Sequence, residues 1–244
     1  MFRPMFATAW RVLQQLFHDR RTIALLWLMP TLLLVLLRYM YDNQLPVFNT
    51  VGSQLLVIFP FVTMFLVTSI STLRERTRGT LERLLTMPLS KLSFILGYAL
   101  AFGVMATIQI GIISLVAFTW LGLDVAGPVW LVFGTGLLIA MLGVALGLFT
   151  SAFARSEFQA VQFMPAFIFP QLLLCGLLVA RDSMADWLRW LSDVFPLTYA
   201  VEAVKELAAH VDATDTLHKD LLILGCWVAG ALVLASLTLR RKTN

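Results

Sequence analysis

Charge is scarce in this chain of 244 residues: Asp, Glu, Lys and Arg make up 13% of it, where soluble domains carry about a quarter. Histidine and cysteine are scarcer, with three and two copies. His18, His210 and His218 all fall outside the apolar stretches and lack neighbouring ligand types, so no metal set is expected. Cys175 and Cys226 lie in apolar runs, where cysteine behaves as a small hydrophobe, and no disulfide framework is expected. None of Lys91, Lys205, Lys219 and Lys242 follows a glycine, so the phosphate-binding Gly-x-x-x-x-Gly-Lys loop is missing. The chain therefore binds no ATP in that way, and no cofactor is expected in it. Ser151, Ser156 and Ser183 have no His and acid near them in sequence to make a nucleophile. A proton relay also lacks its groups, because the apolar runs after the first carry essentially no charge. Arg155 and Glu157 sit at a turn between two such runs, and Arg38 is near enough to the end of the first to snorkel.

What is abundant is apolar surface: 59% of residues are hydrophobic and the mean hydropathy is +0.85. Runs of roughly 20 apolar residues span a bilayer as helices, and no short alternating pattern suggests a barrel. The fold class predicted is an all-α membrane protein. Six transmembrane helices can be read, at 22–41, 51–73, 93–121, 129–153, 158–180 and 220–239, within a single domain over 1–244. Pro46 in "DNQLPVFNT" and the stretch "GLDVAGP" mark two of the turns.

Lys and Arg accumulate on the cytoplasmic side of a membrane protein. Arg3, Arg11, Arg20 and Arg21 precede the first run; Arg74, Arg76, Arg78, Arg83 and Lys91 follow the second; Arg240, Arg241 and Lys242 close the chain. The turns after the first and third runs have none. Both termini are therefore expected in the cytoplasm, and the net acidic 181–219 segment outside. This distribution accounts for the net charge of +4, so no nucleic acid partner is expected; the lipid bilayer is.

Three shorter stretches flank the runs. Phe2, Phe6, Trp10, Leu13 and Phe17 recur every three or four residues, which predicts an interfacial helix over 1–21 with its aromatics at the acyl boundary. The basic, amphipathic Pro4 to Arg21 stretch and the lack of a small-residue cleavage site argue against a removable signal peptide. At 181–219, Met184, Trp187, Leu188, Leu191 and Phe195 take helical spacing, and a second helix restarts at Pro196. Two short interfacial or re-entrant helices are expected there, packed on the spans. At 74–92, Leu81, Leu84, Leu85, Leu89 and Leu92 share one face and Arg78, Glu82 and Arg83 another. That pattern fits an amphipathic helix parallel to the membrane, or simply a basic cytoplasmic loop.

Two further features stay open between readings. Gly143, Gly147 and Ser151 form a small-xxx-small row that lets a helix approach closely, inside one subunit or between two. Phe59, Phe61 and Phe65 on the second span, with Phe163, Phe167 and Phe169 on the fifth, either line an apolar pathway or serve as core and lipid-facing residues.

The stretch "RERTRGTLERLLTMPLS" resembles the cytoplasmic segment of type-2 ABC exporter permeases, the ABC-2 family, with Glu75, Gly79, Thr80, Leu81, Glu82, Leu84, Leu85 and Pro88 on its pattern. A second stretch, "FPQLLLCGLLVARDSMADWLRWLSDVFPLTYAVEAVKEL", is similar to that family's fifth span and outer re-entrant region through Pro170, Gly176, Trp187, Pro196, Leu197, Thr198, Tyr199 and Glu202. Cys175, Phe195 and Lys205 depart from the family's usual Ser, Asn and Arg. The resemblance implies a type V exporter-like permease subunit in the cytoplasmic (inner) membrane, dimeric, most simply as a homodimer with a second permease copy. Its ATPase partner subunit would bind ATP and Mg. The 74–92 helix would couple to that subunit through Arg74, Glu75, Arg76, Gly79, Thr80, Leu81, Glu82, Leu85 and Pro88. Spans two and five, with their phenylalanines, would line the substrate path, and Pro196, Thr198, Tyr199 and Glu202 would form an outer gate. The expected function is export of an amphipathic or lipid-like substrate of the drug type. Export of a polysaccharide or teichoic-acid polymer is the alternative, and a non-transporting membrane assembly or immunity scaffold a third.

Overall fold

A computed structural model describes residues 2–77 and 91–238. Among these residues the chain is helical, without strands: α1 (Phe2–His18), α2 (Arg20–Met40), α3 (Leu45–Thr77), α4 (Lys91–Thr119), α5 (Val129–Thr150), α6 (Glu157–Leu174), a 3-10 turn (Arg181–Ser183), α7 (Asp186–Asp193), α8 (Pro196–Ala209) and α9 (Asp215–Thr238). Five of them, α2, α3, α4, α5 and α9, are long and apolar enough to cross a bilayer.

Where the helices depart from the sequence expectation, local chemistry explains it. The second span, expected at 51–73, runs over 33 residues from Leu45 to Thr77, roughly 50 Å at 1.5 Å per residue. Pro46 lies in its first turn, where the missing N–H has no partner to lose, so it begins the helix instead of ending the connection. The fifth span, expected to reach residue 180, stops at Leu174 because Gly176 adopts a left-handed φ of 85°. Pro165 and Pro170 and three glutamines further dilute α6, which is not among the five long apolar helices. The last helix begins five residues ahead of expectation, at Asp215, and buries Asp220. The segment 78–90, most of the expected 74–92 helix, lies outside the described residues.

Caps set two of the starts. The Asp19 carboxylate accepts from the Thr22 N–H at 3.2 Å and from its hydroxyl at 2.7 Å, which separates α1 from α2 by a single residue. Those two bonds, hydroxyl first and then amide, hold the Asp19 carboxyl below the usual aspartate range. Ser156 accepts from the Gln159 N–H at 3.2 Å and starts α6.

The centre of the bundle is α3, which packs most extensively on α5. Phe48, Leu56, Phe61 and Phe65 of α3, Val132, Ile139 and Leu142 of α5, and Leu197, Val201 and Val204 of α8 share the main core. A second core joins α1 to α4. There α1 buries Ala9, Val12 and Leu16 and leaves Phe6, Trp10 and Phe17 of the expected face exposed, whereas Leu13 of that face packs against the core.

Gly97 of α4 makes that docking possible. A Cβ there would lie 2.8 Å from the Thr8 Cβ and 2.9 Å from the Met5 carbonyl oxygen. Gly97→Val should therefore push α1 off α4, weakening its docking by ~1–3 kcal/mol. Proteolysis within α1 would rise while the rest of the chain stays folded; unchanged cleavage would refute the contact.

Candidate functional site

At the end of the bundle where α1 lies, three successive residues near the terminus of α3 reach three different ways. Arg74 Nε and Nη2 donate to the two Glu157 carboxylate oxygens at 2.8 and 2.9 Å, which ties α3 to the first turn of α6. Arg76 Nη1 donates to the Ser151 carbonyl at 2.9 Å, at the end of α5. Glu75 turns toward α1 and α4. It accepts from Arg11 Nη1 and Nη2 at 2.9 and 3.0 Å and from the Tyr98 hydroxyl, while Arg11 Nη2 also donates to the Tyr98 oxygen at 2.9 Å. Gln15, its amide oriented by the same network, donates to Glu75 Oε1 at 2.8 Å and accepts from Arg11 at 3.1 Å.

The local sequence makes this possible. Helix periodicity rotates consecutive residues by about 100°, so Arg74, Glu75 and Arg76 cannot share a partner. Two arginines in the last turn of α3 also suit the negative end of its dipole, as Glu157 suits the positive end of α6. The Glu75 cluster is the sheltered part: the Glu75 side chain is 13% exposed and Arg11 30%. Burial alone would lower the Arg11 pKa; Glu75 and then Tyr98 more than offset it and hold the guanidinium above its ordinary value. A bidentate pair of this kind is stronger than an exposed ion pair.

Of the residues expected to couple to an ATPase, Arg74, Glu75 and Arg76 thus come together with α1, α4, α5 and α6, whereas Gly79, Thr80, Leu81, Glu82, Leu85 and Pro88 lie outside the described residues. Sequence reading missed Arg11 and Tyr98 as partners. Tyr98 is the one tyrosine of a long apolar run, and Arg11 is visible only as one of four basic residues.

Midway along the bundle, α2, α3, α6 and the turn after it line an apolar cavity of about 500 Å³ that is open on one side. Phe59 and Phe169 line it, together with Leu33, Leu55, Ile58 and Leu172. Thr63 also faces it, yet its hydroxyl donates back to the Phe59 carbonyl at 3.0 Å and accepts from Gln109 Nε2 at 2.8 Å. No free polar group remains on the wall. Phe61 and Phe65 are fully buried in the main core instead. Phe163 packs beside Leu73 and Ala160 and meets the exposed Phe167 edge-on at 6.2 Å.

At the opposite end, Arg181 gathers the short elements. Its Nε donates to Ser192 Oγ at 2.9 Å and its two other nitrogens pair with Glu202 and Asp193. Burial opposes its charge, but Glu202 and then Asp193 hold its pKa above the ordinary arginine value. Thr198 is buried and donates to the Ser192 carbonyl at 2.7 Å, Tyr199 to the Asp193 carbonyl at 2.7 Å, and Pro196 is buried at the start of α8. Three of the four residues expected at an outer gate, Thr198, Tyr199 and Glu202, therefore belong to one network whose hub is Arg181, while Pro196 contributes only the start of α8. Lys205 donates to the Gly176 carbonyl at 2.7 Å, holding the turn after α6 against α8.

The row Gly143, Gly147 and Ser151 serves packing within the subunit at its first two positions. Cβ atoms there would lie 2.3 Å from the Phe61 carbonyl oxygen and 2.6 Å from that of Phe65, so α5 touches the α3 backbone directly.

A family model described as ABC-2 type transporter matches residues 4–207. Among curated relatives, ABC transporter G family member 20 of Dictyostelium discoideum is 27% identical over 180 residues, covering 72% of this chain and 24% of that protein. The probable multidrug ABC transporter permease YbhR of Escherichia coli is 27% identical over 173 residues, 71% of this chain and 47% of that one. The linearmycin resistance permease protein LnrN of Bacillus subtilis is 25% identical over 151 residues, 62% and 39% respectively. The matched part thus spans about a quarter of the first relative and about half of the second.

Proposed function

The chain belongs to the ABC-2 type transporter family and is a multi-pass membrane permease of it, and from that membership we propose an ATP-driven exporter of amphipathic or lipid-like molecules. A separate ATPase subunit supplies the energy and docks on residues 78–90 and the adjoining Arg74, Glu75 and Arg76. Two copies of the permease assemble in the inner membrane with their termini in the cytoplasm, in keeping with the placement of Lys and Arg. In this reading α6 and the turn after it complete a sixth crossing, and α7 and α8 form a re-entrant outer gate around Thr198, Tyr199 and Glu202.

The observation that carries the cargo class is the apolar cavity of about 500 Å³ between α2, α3 and α6, a volume within the range of small-molecule sites. An aliphatic or aromatic portion fits such a wall. A glycan chain does not, because each hydroxyl stripped of water without a partner costs ~1–3 kcal/mol. The names of two relatives, a probable multidrug permease and a linearmycin resistance permease, agree with a cargo of this chemistry.

The test uses the chain purified with its ATPase and reconstituted into inside-out vesicles with ethidium or NBD-phosphatidylethanolamine as probe. ATP-dependent movement of at least one probe is expected. Phe59→Gln and Phe169→Gln, which place an amide on the cavity wall, should each slow it about tenfold at unchanged protein yield. No movement of either probe by the unmodified complex, or variants at full rate, would refute the reading.

A further inference from the structure

We infer that Arg11, Glu75 and Tyr98 form a latch that fastens both stems of the 78–90 segment to the surface helix α1, so that α1 is a moving part of the coupling device and Arg11 and Tyr98 are its positioning residues. The inference rests on the proposed ATP-driven function.

The three residues come from three elements and converge on one carboxylate. Glu75 stands three residues before the segment and Tyr98 eight residues after it, so one lies on each stem. Arg11, from α1, meets both at once: its Nη1 and Nη2 donate to Glu75 and its Nη2 also to the Tyr98 oxygen. The tyrosine hydroxyl closes the triangle by donating to Glu75. A planar guanidinium with several fixed donors suits this role and a lysine does not.

Shelter makes the latch stiff. Tyr98 is almost completely buried, its ring stacked at a tilt on Phe94, 4.5 Å between centroids. Two neighbouring ties hold the same end of α3, yet Arg74 goes to α6 and Arg76 to α5. Among the hydrogen bonds just described, only the Glu75 cluster links the α3 stem to the α4 stem and to α1. A force applied to 78–90 that rotates either stem must therefore carry α1 along or break a bidentate ion pair. The exposed Phe6, Trp10 and Phe17 on the far side of α1 give that motion an apolar anchor in the membrane surface.

The experiment has a cargo-independent arm and a transport arm. Hydrogen exchange of the full chain in lipid nanodiscs is compared with Tyr98→Phe, which keeps the ring and removes only the hydroxyl, and with Arg11→Gln. Each bond to a charged group is strong enough that its loss should raise exchange about tenfold, and in residues 71–77, 92–98 and 8–14 together. Faster exchange confined to the substituted helix, or no change, overturns the latch. In the reconstituted complex, probe moved per ATP hydrolysed should fall about tenfold in both variants, with ATP turnover persisting. The exchange Arg11→Glu with Glu75→Arg should restore most of it, since the tyrosine hydroxyl can serve either polarity. Transport per ATP within twofold of the unmodified complex, or transport and ATP turnover lost in equal proportion without rescue, also overturns the latch. If the unmodified complex moves no probe, the export reading falls, and the exchange arm still decides whether the latch exists.

Discussion

Gly143→Leu should sharply lower the thermal stability of the folded protein. The position has no room for even one carbon: a Cβ would sit 2.3 Å from the Phe61 carbonyl oxygen and 3.2 Å from the Phe65 nitrogen, both of them backbone atoms of α3. A flexible side chain could swing aside; a helix backbone cannot. Phe61 and Phe65 are fully buried, so moving that stretch of α3 would also open the main core. The cost should reach or exceed the ~3 kcal/mol at the upper end of ordinary overpacking. At that size the midpoint of thermal unfolding falls by ~6 °C or more. Gly134, on the same helix, provides the control, since nothing lies within 4 Å of its Cβ position. Gly134→Ala should be neutral or stabilise by up to ~1 kcal/mol through helix propensity. Size-exclusion profiles of both variants after graded heating separate the outcomes. Equal behaviour of the two would mean that α3 and α5 are not in backbone contact.

The Gly143 and Gly147 row shows which kind of information a sequence carries well. Small residues at four-residue spacing announce a close helix approach, but not whose backbone arrives there. The long apolar runs were legible for a similar reason: hydropathy alone places α2, α4 and α5 to within a few residues. Ends were harder, because they depend on single residues whose meaning changes with context. Pro46 is a turn former in isolation and a helix starter in the first turn of α3, and Gly176 breaks α6 through a backbone angle invisible in an apolar run.

Site residues divide along the same line. Arg74, Glu75 and Arg76 stood out as charges interrupting an apolar chain, and the structure gives each its own neighbour. Tyr98 and Arg11 did not stand out, because their role exists only when residues 64 and 87 positions apart along the chain converge. Phenylalanine was the least legible residue of all. Phe59 and Phe61 are two apart on one helix, so they point in nearly opposite directions, one to the cavity and one to the core.

Arg181→Met should loosen the whole end of the molecule around α7 and α8. Its side chain uses three nitrogens on three partners, Ser192, Asp193 and Glu202, and so holds the turn after α6 to the end of α7 and to α8. No other residue in that network joins the turn to both helices. The methionine keeps most of the volume of the stem, which packs 3.2 Å from the Cβ position of Gly176, and so isolates the polar contribution. Bonds to charged groups are worth ~1.5–3 kcal/mol each when sheltered. Asp193 is 52% exposed and Glu202 31%, so solvent screening reduces the sum to about 2 kcal/mol. Glu202→Gln should account for most of that loss and Asp193→Asn for little, in the order of their exposure. Arg181→Lys should rescue poorly, because one ammonium cannot reach three partners in the plane of a guanidinium fork. Hydrogen exchange over residues 181–199 reads the effect directly, and should accelerate there while α4 and α5 keep their protection. If lysine protects as well as arginine, or if Asp193→Asn costs more than Glu202→Gln, then charge alone stabilises this end, and the expected gate residues Thr198, Tyr199 and Glu202 are not held in position by Arg181.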